Sequence, residues 1–333
     1  MSVVEKELYR EALYNHLLKC LDIFCVSLGV HWNSKPNELH HLLLRYLLIK
    51  KANFPPHNTS LDPVFMTHRS ENAIQQIVKD IRFKNKSSEP EVLGQRIAEF
   101  IEKRLERCAK KMQETKFHQD SPITLNGNFL NYRVISRRLT GRHTFPEQQR
   151  PQIFALLVRN EYMHLENHGL ARQYEKELTI SASDRNLECF SNIFNRSLSL
   201  FCTCFPDLEK ASGSLGSFFD LDLKKFPDMN FQINPPFDET IMKLCAEKVI
   251  SHLKQNEASI TQNQQFIFTF PDWKDSEAIN LLRVNSHFIK EIKQFKKGEL
   301  GFIDYNKKNS KQEFNIIYPC NIIEIVYANS MKP

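Results

Sequence analysis

The segment Phe231-Gln232-Ile233-Asn234-Pro235-Pro236-Phe237 decides how the second half of the chain folds. Its first three residues alternate apolar and polar side chains, as a short strand does. Pro235 and Pro236 lack a backbone N–H, so they end this strand and hold Asn234 in an extended conformation. A helical pattern of apolar residues then occupies 238–254. The order of strand, rigid turn and helix predicts an α/β unit with Asn234 at the carboxyl end of a strand.

Strands and helices also alternate on both sides of this segment. Apolar runs predict strands at 187–190, 217–221, 231–233, 265–270, 288–295 and 322–327. Helical spacing of apolar residues predicts helices at 194–205, 238–254 and 276–285. Such an alternation predicts a mostly parallel sheet covered on both faces, with a ligand crevice beyond the carboxyl ends of its strands.

The first half of the chain shows helical patterns and little strand signal. Apolar residues recur at helical spacing in 4–28, 37–50, 71–83, 91–116 and 147–167. The pattern changes near residue 180. We therefore predict two domains: a mostly α-helical domain at residues 1–180, for substrate binding or scaffolding, and an α/β domain at residues 181–333.

Composition and charge narrow the class of protein. The chain has 333 residues, and its net charge of +6 suits a polyanionic partner. Its eight cysteines form no CxxC pair, which argues against a metal site and against a disulfide scaffold. The N-terminal residues lack an apolar segment after a basic start, and no run of about 18 apolar residues occurs. We expect an intracellular protein, nuclear or cytoplasmic, with no membrane span and no metal.

The Asn-Pro-Pro-Phe sequence suits the methylation of an amine whose lone pair is delocalised into a ring, such as the N6 amine of adenine. The Asn234 side-chain oxygen and the Pro235 carbonyl can each accept one N6–H bond, which favours a tetrahedral nitrogen. Direct transfer from a sulfonium methyl then needs alignment within about 3–3.5 Å and no strong base. The Phe237 ring can stack on the base, which is worth roughly 1–3 kcal/mol. A turn that merely ends a strand and the methylation of a glutamine side-chain amide remain the alternatives for these residues.

Several further blocks of sequence accompany this motif between residues 187 and 329. In chain order they are Glu188-Cys189-Phe190-Ser191 with Asn195, Phe205-Pro206-Asp207 with Gly213, Ser214, Gly216 and Asp220, Asn234 to Phe237, Phe266-Ile267-Phe268 with Pro271-Asp272-Trp273, and Asn321. These blocks resemble the catalytic module of the CAPAM family, the cap-specific adenosine N6-methyltransferases that are also known as phosphorylated polymerase II tail-interacting factors. Five blocks in the same order make a more specific signal than any one of them.

The resemblance implies a fold, a cofactor and a set of site residues. The implied fold is α/β, a Rossmann-like class I methyltransferase domain preceded by a mostly α-helical domain. The implied cofactor is S-adenosylmethionine, held without the usual Gly-rich loop, which 187–192 lacks. The cofactor pocket would be lined by Phe190, Ser191, Asn195 and Asp220, and its adjoining loop would be shaped by Asp207, Gly213 and Ser214. The catalytic residues would be Asn234, Pro235, Pro236 and Phe237.

Two departures from the family pattern bear on the substrate. Trp32 has no partner tryptophan at the spacing of a WW domain, so docking on the polymerase tail is not expected. The segment 296–309 does not match the family's Tyr-x-Ser-Gly segment, which bears on recognition of the mRNA cap. The resemblance implies N6-methylation of adenosine in RNA, with the nucleotide beside the cap as one site. Adenine in DNA, and an inactive methyltransferase fold that only binds nucleic acid, remain the alternatives.

Two basic stretches are candidates for contact with nucleic acid. Guanidinium groups pair with phosphates and stack on bases. In the denser stretch we predict that the substrate is bound by Arg133, Arg137, Arg138 and Arg142. A second basic face, which either contacts phosphates or is simply solvated, comprises Lys103, Arg104, Arg107, Lys110 and Lys111.

Overall fold

The computed structural model describes residues 3–32, 38–52, 62–85, 89–115, 149–163, 172–174, 185–193, 195–196, 198–256, 264–299, 301–304, 315–317 and 321–328. Their contacts divide into two compact units. Unit 1 contains the described residues up to 163, and unit 2 contains those from 172 onward. The predicted domain boundary near residue 180 stays a prediction, because 175–184 lies outside the described ranges.

Unit 1 is helical, as its sequence pattern predicts. Its helices are α1 (Val3–Ser27), α2 (Glu38–Ala52), α3 (Glu71–Asn85), α4 (Pro90–Glu114) and α5 (Arg150–Tyr162). Pro90 occupies the first turn of α4, where its fixed φ suits a helix start and its missing N–H removes no hydrogen bond. Gly94 allows α3 and α4 to approach closely, since a Cβ there would lie 2.5 Å from Val78 Cγ2. In the described part of the chain, no helix is long and apolar enough to span a bilayer.

A buried ionic network joins the two ends of unit 1 in sequence. Arg159 donates to Glu7 through Nε and Nη2, at 2.8 and 2.6 Å, and neither side chain is exposed to solvent. The Tyr162 hydroxyl and Arg10 Nη1 donate to the same carboxylate at 2.6 and 2.9 Å. Arg10 Nε also donates to Asp62 at 3.0 Å. Four hydrogen bonds therefore converge on the Glu7 carboxylate, which compensates its removal from water.

Unit 2 is a mixed α/β unit. Its strands are β1 (Arg172–Tyr174), β2 (Asn186–Glu188), β3 (Leu200–Phe201), β4 (Asn230–Ile233), β5 (Gln265–Pro271), β6 (Ile289–Phe295), β7 (Gly301–Asp304), β8 (Asn315–Ile317) and β9 (Ile322–Ala328). Its α-helices are the short α6 (Pro206–Glu209), α7 (Glu239–Gln255) and α8 (Glu277–Val284). The motif segment and the helix after it have the predicted order of strand, turn and helix.

The main sheet has six strands in the order β3-β2-β4-β5-β9-β6. Strands β3, β2, β4 and β5 run parallel, while β9 is antiparallel to both β5 and β6. The sheet is therefore mixed, and it is parallel except for β9. A second, antiparallel sheet has the order β1-β7-β8, and its short strands were not predicted from the sequence.

Two predicted elements of unit 2 are wrong. The helix predicted at 194–205 contains β3, which pairs with β2, flanked by loops. Leu198, Leu200 and Cys202 alternate with period two, and a short apolar segment of this kind fits either period. The strand predicted at 217–221 is a 3₁₀ turn, Phe218–Asp220, because the Ser217 hydroxyl accepts the Phe219 N–H at 3.2 Å.

Aromatic side chains fill the interface between the sheet and its helices. Phe231 of β4 stacks on Phe266 of β5 at 4.8 Å, and Phe268 meets Tyr327 of β9 edge-on at 5.7 Å. The Tyr327 hydroxyl donates to the carbonyl of Asn285 at the end of α8, at 3.2 Å. His252 of α7 lies edge-on to Phe266. Helices α7 and α8 thus cover the same face of the sheet, rather than one face each.

A neutral histidine holds the end of α7 to the segment before β5. Gln264 Nε2 donates to the carbonyls of Leu223 and Phe226, at 2.6 and 2.7 Å, so its Oε1 faces His252 Nε2 at 2.7 Å. The His252 Nδ1 atom accepts from Asn256 Nδ2 at 3.2 Å. If Nδ1 were protonated, its N–H and the Asn256 Nδ2–H would both be donors and would repel each other. Burial lowers the pKa of His252; the hydrogen bond to Gln264 opposes this shift, and the nearby Lys224 and Lys248 add to it.

We expect unit 2 to lose stability as the pH falls below about 6.5, the ordinary pKa of histidine. The folded state binds the His252 proton more weakly than the unfolded state, so acid favours unfolding. The measurement is the unfolding midpoint between pH 7.5 and 5.5, followed by Trp273 fluorescence in a Trp32→Phe background. His252→Gln should flatten this dependence, and His31→Gln, at an exposed histidine of unit 1, should not. Identical slopes for all three proteins would contradict the expectation.

Candidate active site

The loops after β2 and β4 leave the sheet side by side. Glu188 pairs with Gln232, and the Cys189 N–H donates to the Gln232 carbonyl at 2.9 Å. Phe190 lies two positions after Glu188, and Asn234 lies two positions after its partner Gln232. The chain runs from β2 to β3 on one side and then to β4 on the other, so the strand order reverses between β2 and β4. In open α/β sheets a crevice forms at such a point.

The Asn-Pro-Pro-Phe motif is fixed between β4 and the first turn of α7. The Asp238 carboxylate accepts the N–H groups of Thr240 and Ile241, at 3.0 and 3.2 Å, and caps the helix. The Asp238 N–H donates to the Pro236 carbonyl at 2.7 Å, which closes the turn. Pro235 is buried, and Asn234 is half-buried. The Asn234 amide and the Pro235 carbonyl accept no hydrogen bond from the residues that the structure describes.

The loop after β2 is held by a side-chain brace. Asn195 Oδ1 accepts the Ser191 hydroxyl at 3.1 Å and the Asn192 N–H at 2.7 Å. The Ser191 N–H donates to the Cys202 carbonyl at 3.0 Å, which ties the loop to the end of β3. Asn195 is buried, so its oxygen shapes the loop, while the Ser191 hydroxyl still has lone pairs to offer.

The Phe190 ring belongs to a three-ring cluster at the crevice. It lies 5.4 Å from the Phe218 ring and 5.8 Å from the Phe219 ring. Phe190 and Phe219 are half-buried, and Asp220, next in the chain, is exposed. This arrangement places an aromatic surface beside a carboxylate.

Lys248 of α7 supports the turn that carries Asp220, a role that the sequence did not suggest. Its Nζ donates to the carbonyls of Phe219 and Leu221, at 3.0 and 2.9 Å, on either side of Asp220. Burial lowers the pKa of Lys248, and the nearby Asp220 carboxylate opposes this shift. An amphipathic helix contains many lysines, so no sequence signal distinguishes this one.

Two glycines shape the loop between α6 and the Asp220 turn. Gly213 and Gly216 have φ values of 94° and 101°, in the left-handed region. The Gly216 carbonyl accepts the Thr203 N–H at 2.8 Å, and Ser214 forms a parallel bridge with Phe201. The loop thereby runs along the end of β3. Asp207 is exposed at the start of α6.

Glu209 connects the loop after β2 to the loop after β3. Its carboxylate accepts the Ile193 N–H at 2.6 Å from the loop after β2, and it accepts the Thr203 hydroxyl from the loop after β3. The side chain is 1% exposed. Glu209 carries no signal in the sequence, because a glutamate in a short helix resembles a surface residue until the chain is folded.

Glu209→Gln is expected to weaken S-adenosylmethionine binding roughly tenfold, the cost of about one buried hydrogen bond. Glutamine offers one acceptor oxygen where the carboxylate offers two, so one loop loses its anchor. Calorimetric titration of the variant measures the effect, with Lys210→Gln at the adjacent exposed position as the control. If Glu209→Gln bound S-adenosylmethionine with unchanged affinity, the two hydrogen bonds to Glu209 would not shape the site.

The end of β5 and the start of β9 meet at the edge of the sheet where β4 also ends. The Asp272 N–H donates to the Asn321 carbonyl at 2.9 Å, and the Trp273 N–H donates to the Pro271 carbonyl at 2.8 Å. Asp272 also accepts from Gln294 of β6 at 3.1 Å. Trp273 is 39% exposed on this rigid turn.

Some sequence predictions cannot be placed. Arg133, Arg137, Arg138 and Arg142 lie outside the described residues. Among the described residues, no cluster of three or more His, Cys, Asp or Glu side chains has the arrangement of a metal site. None of the seven described cysteines forms a disulfide, and burial raises the pKa of Cys202 beside the crevice to about 12.

One family model covers the part of the chain that carries the crevice. A family model described as the phosphorylated CTD interacting factor 1 WW domain matches residues 142–304. The resemblance to the CAPAM family is confirmed. The mRNA (2'-O-methyladenosine-N(6)-)-methyltransferase of Mus musculus is 28% identical over 117 residues, and so is the Homo sapiens protein of that name. These alignments cover 34% of this chain and 14% of each relative.

The CAPAM-family match includes both loops of the crevice and the Asn-Pro-Pro-Phe motif. Strand β9, which separates β5 from β6 in the sheet, follows the matched range. Trp32 lies outside that range, so the expectation drawn from it about the polymerase tail stays a prediction.

Proposed function

We propose that this chain is an S-adenosylmethionine-dependent methyltransferase that modifies the N6 amine of adenosine in RNA. The observation that carries the proposal is the position of Asn234 to Phe237 at the carboxyl end of β4, where the strand order reverses. The half-buried Asn234 amide and the Pro235 carbonyl are the acceptors that an exocyclic amine needs. The names of the mouse and human relatives support adenosine N6 in mRNA as the substrate.

The strand order supports a Rossmann-like class I methyltransferase domain. Without β9, the five parallel strands follow the order second, first, third, fourth and fifth along the chain. This is one of the two common orders of doubly wound sheets, in which the ligand binds between the first and third strands. In this chain those strands are β2 and β4. The antiparallel β9 is an insertion in that arrangement.

The residues around the crevice fit S-adenosylmethionine. The half-buried Phe190 and Phe219 rings offer an aromatic surface for adenine, and the exposed Asp220 offers a carboxylate for ribose hydroxyls. Ser191 supplies a hydroxyl on a braced loop. Space lies around Gly213 and Gly216, where an added Cβ would meet no atom within 4 Å. We assign Phe190, Ser191, Asp220, Gly213 and Ser214 to the cofactor side, with Asn195 and Asp207 shaping the loops.

The bound donor supplies an electrophilic methyl group, and the motif presents the amine to it. Asn234 Oδ1 and the Pro235 carbonyl accept the two N6–H bonds, which withdraws the nitrogen lone pair from conjugation with the ring. The Phe237 ring stacks on the base and excludes water from one face. Pro235 and Pro236 keep both acceptors fixed, so alignment is present before the substrate binds. Once the nitrogen is alkylated, its surplus proton is acidic and leaves without a strong base.

The test is the transfer of labelled methyl to three substrates: capped RNA that begins with adenosine, uncapped RNA, and DNA. We expect N6-methyladenosine from the RNA substrates after digestion to nucleosides. Transfer to DNA alone would replace RNA with DNA as the substrate. No transfer by folded protein that also fails to bind S-adenosylmethionine would leave a nucleic-acid-binding fold without catalysis.

A further inference from the structure

Helix α4 presents a continuous row of positive charge in unit 1. We call it the α4 basic stripe, and it consists of Arg96, Lys103, Arg104, Arg107, Lys110 and Lys111. These residues fall within one angular sector of the helix at 100° per residue. Arg104 is half-buried and the others are exposed. From the first to the last, the stripe is about 22 Å long at 1.5 Å per residue.

The spacing of these charges opposes helix formation. Lys103, Arg107 and Lys111 follow one another at i, i+4, where like charges repel. Lys103, Arg104 and Arg107 form no ion pair in the described part of the chain. Glu102 lies on another side of α4, where it binds Lys50 at 2.7 Å. A bound polyanion would remove this repulsion, whereas a merely solvated face is usually built from alternating signs.

Part of the stripe has a simpler explanation. Lys110 pairs with Glu114 at 3.6 Å, and Lys111 lies in the last turn, where a cation is favourable to the helix dipole. Arg96, Lys103, Arg104 and Arg107 are far enough from the carboxyl end of α4 that the dipole does not account for them. These four residues carry the inference.

A stack of flat groups lies against the stripe. The rings of Phe24 and Phe100 are parallel within 7° at 4.2 Å, and the Arg104 guanidinium lies over Phe100 at 5.2 Å. Ile23 and Val26 beside this stack are 70% and 49% exposed. A base can stack on a guanidinium plane as it does on an aromatic ring, and cations that follow a backbone beside such a plane are features that bind single-stranded nucleic acid.

We propose that the α4 basic stripe and the Phe24–Phe100–Arg104 stack bind single-stranded RNA, as a surface separate from the Asn-Pro-Pro-Phe site. The choice of RNA among polyanions rests on the proposed function. An anionic membrane is less suitable, because the stacked rings face one another and do not form a broad apolar face.

The test compares salt-dependent binding of a labelled single-stranded oligoribonucleotide to the full chain and its variants. Arg96→Gln/Lys103→Gln/Arg107→Gln should weaken binding at least about tenfold and reduce the slope of log K against log salt by about 2, at about 0.7 per phosphate contact. Phe100→Leu should weaken binding without changing the slope. The matched control, Lys224→Gln/Lys225→Gln/Lys290→Gln, removes the same charge from exposed positions of unit 2 and should leave the slope unchanged.

Equal slopes for the stripe variant and the control would overturn the proposal. So would a stripe variant that loses binding to phosphatidylserine vesicles while its RNA binding is unchanged. Methyl transfer measured with a short RNA at saturating concentration distinguishes a failure of this proposal from a failure of the proposed function. The stripe variant should keep that transfer rate, and a wild-type chain that binds RNA through the stripe without methylating it would refute only the proposed function.

Discussion

Replacing Asn234 with alanine should lower methyl transfer to adenosine by about 10²–10³-fold, the usual effect of removing one positioned hydrogen-bonding group from a reacting centre. The variant loses the side-chain acceptor that holds one N6–H bond, while the Pro235 carbonyl remains. Because Asn234 is half-buried and its amide receives no hydrogen bond from described residues, its loss should not unfold the chain. The measurement is single-turnover transfer of labelled methyl, together with calorimetric binding of S-adenosylmethionine.

Two further variants test whether the effect of Asn234→Ala comes from the lost acceptor oxygen. Asn234→Asp keeps an acceptor oxygen in the same place, so it should retain more activity than Asn234→Ala. Asn280→Ala, at an exposed position of α8, should transfer methyl at the wild-type rate. If Asn234→Ala bound S-adenosylmethionine normally and remained fully active, the motif would be a structural turn. If it lost cofactor binding as well, Asn234 would act on the cofactor side.

Replacing Arg159 with methionine should destabilise unit 1 by about 3–5 kcal/mol, the cost of leaving a buried charge without its partner. Arg159 makes two of the four hydrogen bonds on the Glu7 carboxylate, and neither side chain reaches solvent. The two tryptophans allow the units to be followed separately, since Trp32 lies in unit 1 and Trp273 in unit 2. Urea unfolding of the variant, monitored by Trp32 in a Trp273→Phe background, measures the loss.

An exposed ion pair supplies the control for Arg159. Arg69 binds Glu71 at 2.8 Å with both side chains more than half exposed, so Arg69→Met should leave the urea midpoint of unit 1 nearly unchanged. Glu7→Gln/Arg159→Met should recover part of the loss, because glutamine removes the charge and still accepts from Tyr162. A similar cost for Arg69→Met and Arg159→Met would contradict the view that burial makes this network important.

The sequence predicted the elements of the fold better than the connections between them. Apolar periodicity identified the five long helices of unit 1 and both long helices of unit 2, because long amphipathic patterns repeat several times. It failed at 194–205 and 217–221, where the segment is short and side-chain hydrogen bonds decide the backbone. The position of β9 between β5 and β6 was not predicted, since it depends on strand pairing across more than 50 residues.

The residues of the candidate site also divide into those that the sequence identified and those that it did not. Asn234 to Phe237 were candidates from the sequence, because two prolines after a short strand restrict the backbone locally. Glu209 and Lys248 were not recognisable, because each acts on carbonyl or N–H groups of loops that are distant in sequence. Asn195 was selected as a cofactor residue, and the fold shows its oxygen in a loop brace.

Local stereochemistry and apolar periodicity alone were enough to predict a helical first half, an α/β second half and a rigid Asn-Pro-Pro-Phe turn at a strand end. Those features depend on neighbours within about one helical turn or one strand. Folding decided which loops border the motif, which carboxylate holds them together and which charges are buried. These depend on burial and on hydrogen bonds between distant residues, whose energies exist only once water has been excluded.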